Sequence, residues 1–106
     1  MAAAPSPPPP TPEPDRPAHV IILHAHVHTQ SGYWAKRGEH FAKTDPSGRG
    51  EAGCFLLENA YAILSNALTK RDDAPVWLVD YAHELDTLAI KANNGQWPER
   101  LPPYKS

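Results

Sequence analysis

Proline sets the outer limits of what this chain can fold into. Eight of the thirteen prolines fall in residues 1–17, MAAAPSPPPPTPEPDRP. Proline lacks the backbone donor that helix interiors and sheet ladders require. That stretch therefore reads as a flexible, extended arm. Three more prolines sit in residues 96–106, QWPERLPPYKS, which reads as an extended tail anchored by Trp97 and Leu101. What remains, residues 18–95, has room for one small domain. Such a domain buries a modest share of its surface and gains from a partner.

Two segments carry a helical period. In residues 51–71, Cys54, Leu57, Tyr61, Leu64 and Leu68 recur at spacings of three and four. Leu56, Ala60, Ile63 and Ala67 form a second stripe beside them. The combined apolar face is wide enough to be shared with another subunit, so a homodimer is the expected assembly. In residues 76–92 the stripe is Leu78, Tyr81, Leu85, Leu88 and Ala92. Pro75 suits its first turn and Asn94-Gly95 its stop. The short link between the segments predicts an antiparallel helix hairpin.

Residues 19–29, HVIILHAHVHT, read differently. Strand side chains alternate between faces. On a strand, His24, His26 and His28 share one face, and Ile21, Leu23, Ala25 and Val27 share the other. Gln30-Ser31-Gly32 reads as a turn and residues 33–43 as an irregular return strand. The expected fold is a small α+β domain, with a strand or hairpin packed on the two helices.

The histidine row is where chemistry would be sought. Two imidazoles about 7 Å apart on a strand can converge on one metal ion, while a third splays away. In the expected hairpin Glu39 stands opposite His24 and Arg37 opposite His26, with His40 and His83 as further candidate ligands. The residues leave both the metal and any cofactor open. The string His24-Ala25-His26-Val27-His28 resembles the histidine-triad motif of nucleotide hydrolases and transferases. That resemblance implies His26 as a nucleophile toward phosphate. The chain departs from the pattern at Thr29 and Gln30, and no nucleotide-binding half precedes the motif.

Nucleic-acid binding is a further reading. Tyr33, Trp34, Lys36 and Arg37 mix aromatic rings with cations, as stacking surfaces do. The strand-helix-helix order is similar to ribbon-helix-helix repressors, although about twenty residues separate the strand from the first helix. The net charge of −2 argues against a general nucleic-acid coat or a membrane-surface role. Cys54 is the only cysteine, which fits a reducing, cytoplasmic setting, and no signal peptide or membrane-spanning run is apparent. The expected role is a small non-enzymatic binding or regulatory module. It works as a homodimer that contacts an unidentified protein, through a surface of His24, His26, His28, Trp34, Lys36, Arg37 and Glu39. A histidine-based metal or phosphate site, catalytic or not, is the alternative.

Overall fold

The computed structural model describes residues 16–103. The arm expected over residues 1–17 therefore lies outside the described residues except for Arg16 and Pro17. Three helices follow in order: α1 (Ala18–Thr44), α2 (Arg49–Leu68) and α3 (Val76–Asn93).

Among the described residues there is no strand, so the α+β expectation is corrected to an all-helical fold. The run 19–29, the turn at Gln30-Ser31-Gly32 and the return strand over 33–43 are all parts of α1. The reason lies in which apolar spacing finds a partner. Val20, Val27 and Trp34, seven residues apart, are fully buried, and the half-buried Phe41 continues the series. A seven-residue repeat is a helix seam. The competing alternation fails at Ile21 and Ala25, which are exposed. The apolar face of α2 offers a surface that a helix at this spacing fills, and that packing overrides the β preference of the branched residues.

Helix ends follow proline and glycine chemistry. Pro17 and Pro75 precede the first turns of α1 and α3, where a missing donor costs nothing. Asp45 and Pro46 end α1. Asp45 then accepts from Ser47 N, Ser47 Oγ and Gly50 N, tying the link to the start of α2. Those bonds hold the Asp45 carboxyl below its usual range.

α2 is the centre of the molecule. Ser31 on α1 donates to the Glu58 carbonyl, and a Cβ built on Gly38 would lie 3.4 Å from Cys54 Cβ. Numbers rising along α1 pair with numbers falling along α2, so the two helices are antiparallel. The other side of α2 packs on α3. Leu57, Tyr61, Leu64, Leu78, Tyr81 and Leu85 are buried as the helical stripes require, while Leu88 is only partly so. The segment after α3 returns along α2. The Trp97 ring covers Gly53 so closely that a Cβ there would lie 2.7 Å from it, and Leu101 packs on the core.

Candidate functional site

Recasting the histidine run as helix redistributes its side chains. Successive residues turn by about 100°, so His24 and His28 lie one turn apart on a face and His26 points to another. Each of the three meets a different setting. His24 faces the α1–α2 side, with Arg16 Nη1 at 3.3 Å and Thr69 Oγ1 at 3.5 Å. His28 is exposed. His26 faces α3, and its Nε2 donates to the Asp86 carboxylate at 2.9 and 3.1 Å.

Asp86 accepts a second donor from below. Tyr61 sits at the centre of the core with no exposed surface, and its hydroxyl donates to Asp86 Oδ1 at 2.6 Å. Burial first, then the Asp86 hydrogen bond and charge, push the Tyr61 phenol well above its ordinary range. It therefore stays a protonated donor throughout the neutral range. The His26 and Tyr61 rings meet edge to face at 6.3 Å. Asp86 thus links all three helices: α1 through His26, α2 through Tyr61 and its own α3.

Around this link runs an open groove of about 400 Å³ between α1 and α3. Ile22, Leu23, Val79 and Ala82 give it an apolar floor, and His19, His26, His83 and Asp86 give it polar edges. Further along, the Tyr33 hydroxyl donates to Asn93 Oδ1. Both links, His26–Asp86 and Tyr33–Asn93, join residues sixty apart in sequence. α1 and α3 therefore run parallel in a fixed register, bonded once every two turns. Among the lining residues none carries a hydroxyl or thiol nucleophile. Cys54 is buried against α1, and burial raises its thiol above the usual range.

The surface expected from the sequence is not assembled. Glu39 cannot stand opposite His24, because both lie on α1, about 22 Å apart along its axis. Arg37 cannot stand opposite His26 for the same reason. Trp34 is fully buried in the core and is not a stacking platform. The Arg37 guanidinium lies over the rings of Tyr33, Trp34 and Phe41 at 5.6, 5.7 and 5.2 Å, where cation–π attraction holds it. Lys36 and Glu39 are exposed, and His40 lies edge to face with Phe41, away from the groove. The ribbon-helix-helix reading loses the strand on which it depends. Among the described residues no group of three or more His, Cys, Asp or Glu is placed to hold a metal ion.

Of the proposed surface only His26 joins the groove, together with His83, which was a candidate ligand. Asp86, Tyr61 and His19 were missed. One signal for Asp86 existed: a tyrosine in a buried stripe needs a partner for its hydroxyl, and an acceptor must come from a facing helix. Compared with known proteins, the chain matches no family model, no curated protein and no solved structure. No helix among the described residues is long and apolar enough to cross a membrane.

Proposed function

We propose that this protein is a non-enzymatic docking module that works as a homodimer, the α1/α3 face of one copy covering that of another. The observation that carries the reading is the groove itself. α1 and α3 both pack on α2, yet between themselves they share polar bonds over an apolar floor. Five of the seven exposed large hydrophobics, Ile21, Ile22, Tyr33, Val76 and Ile90, lie on the two helices that form this face. A row of this kind on a small protein marks an interaction site.

Donor–acceptor complementarity favours a second copy as the occupant. The N-terminal half of α1 carries His19, His24, His26 and His28 and no carboxylate. α3 carries Asp80, Glu84 and Asp86 against Lys91. A two-fold axis parallel to the groove places α1 of each copy over α3 of the other, in parallel. In that register residue n of α1 stands level with n + 60 of the other copy's α3, so His19, His24 and His26 meet the stretch that carries Asp80, Glu84 and Asp86 while Ile22 and Ile90 are buried. The imidazoles of His19 and His83 supply donors at the rim. A reducing, cytoplasmic setting suits the single buried thiol. Light scattering at micromolar concentration tests the reading. The parent should give twice the 11.7 kDa chain mass, and Ile22→Asp with Ile90→Asp should give a folded monomer. A monomeric parent contradicts it.

A further inference from the structure

A different face of α3 already holds an extended proline segment. Trp77 and Tyr81 stand one turn apart on α3, about 6 Å along its axis. The Tyr81 hydroxyl donates to the Pro102 carbonyl at 3.0 Å. Leu101 and Pro102 meet Ala60, Ile63 and Tyr81 around a cavity of about 390 Å³. Pro103 shares a neighbouring cavity of about 310 Å³ with Trp77, Asp80, Tyr81 and Glu84.

These are the parts that polyproline recognition needs. An extended proline segment makes no internal hydrogen bonds, so its carbonyls are open to donors. It loses little entropy on docking, and aromatic side chains suit its rings. Here an aromatic pair flanks the prolines and a phenol reads a carbonyl. Asp80 and Glu84 place two carboxylates beside the last proline, which favours a cation in the docked segment.

We infer that the Trp77–Tyr81 face is a recognition surface for a partner protein's proline-rich segment carrying a Pro-Pro pair followed by Lys or Arg. In this inference residues 101–103 occupy it as an internal ligand that the partner displaces. The chain's other proline-rich stretch, residues 5–14, fits less well. Its last Pro-Pro pair ends at Pro10, six residues before Arg16, with Glu13 and Asp15 between, and the Arg16 guanidinium donates to the Leu68 carbonyl. The order of prolines and charges therefore separates the two proline-bearing ends: only the tail, which continues Tyr104-Lys105-Ser106, has a Pro-Pro pair followed by a cation with no carboxylate between.

The test uses full-length chains and two synthetic peptides, followed through the Trp77 indole resonance. One peptide is ERLPPYKS, and the other has both prolines replaced by alanine. A tethered tail competes at an effective concentration in the millimolar range, so the parent should bind the first peptide weakly. Pro102→Ala with Pro103→Ala weakens the internal ligand. That chain, with unchanged helix content, should bind the peptide about ten-fold more tightly. Adding Asp80→Lys and Glu84→Lys, both at exposed positions, should reverse the gain by about ten-fold. No saturable Trp77 shift, or equal affinity for the alanine peptide, overturns the inference. So does loss of dimer mass in the Pro102→Ala, Pro103→Ala chain, since the tail would then belong to a second copy.

Discussion

The two sides of α1 are built on different principles. Toward α2 it presents Val20, Val27 and Trp34, all fully buried, and lets the backbones approach closely where Gly38 meets Cys54. Toward α3 it presents His26 and Tyr33, each held by one polar contact at the edge of an open groove. The first side is a packed core that no partner is needed to complete. The second is positioned by hydrogen bonds but leaves apolar surface for another molecule. The core side fixes the fold, and the groove side is free to serve recognition.

The largest expected effect breaks the core side. Trp34→Ala removes a fully buried indole and should destabilise the protein by about 3–5 kcal/mol in a denaturant melt. A change near zero would mean that α1 does not pack on α2 as described. The polar side should be worth less. Asp86→Ala leaves the buried Tyr61 hydroxyl without its acceptor and should cost about 1–3 kcal/mol.

Alkali probes the same link. The folded state holds the Tyr61 phenol protonated above its ordinary range. A raised value adds stability that is fully present below about pH 10, the unfolded phenol's value, and is lost as pH rises above it. Stability should therefore fall above about pH 10. Tyr61→Phe should start less stable at neutral pH and lose less in alkali. Parallel alkaline curves for the two proteins would contradict the buried-phenol account.

Much of α2 and α3 was legible because each carries a dense apolar stripe with clear stops. α1 was not, for reasons visible in particular residues. Its seam uses one fully buried side chain every two turns, so the seven-residue spacing of Val20, Val27 and Trp34 is sparse beside the local alternation of Ile21, Leu23, Ala25 and Val27. Gln30-Ser31-Gly32 carries turn chemistry, yet Gly32 sits in the helix with nothing near its Cβ position. The histidines were recognised as the chemical feature of the chain, but strand geometry put them on one face. The link from His26 to Asp86 spans sixty residues and follows only once α1 and α3 are known to run parallel.

Two smaller effects sharpen the contrast. Gly32→Ala on the open face should stabilise α1 by about 0.5–1 kcal/mol, because alanine costs less than glycine in a helix interior. A break in the helix at residues 30–32 would instead make the change neutral or harmful. The smallest effect lies at the α1–α2 link. The depressed carboxyl of Asp45 adds stability that is present above about pH 3.9 and lost as pH falls below it. Asp45→Asn should flatten the acid end of a stability–pH curve. An unchanged acid limb would show that the link contributes nothing.

The claim that the α1/α3 face is the docking surface is tested most directly by isotope-filtered NMR on a mixture of labelled and unlabelled chains. Parallel packing of α1 over the other copy's α3 predicts contacts between copies from Ile22 methyls to Val79 methyls and from Ile90 methyls to the Tyr33 ring. Those cross-peaks should vanish in the Ile22→Asp, Ile90→Asp protein. A dimer whose only contacts between copies lie elsewhere, at Phe55 or Ile63 on α2 for instance, would contradict the account.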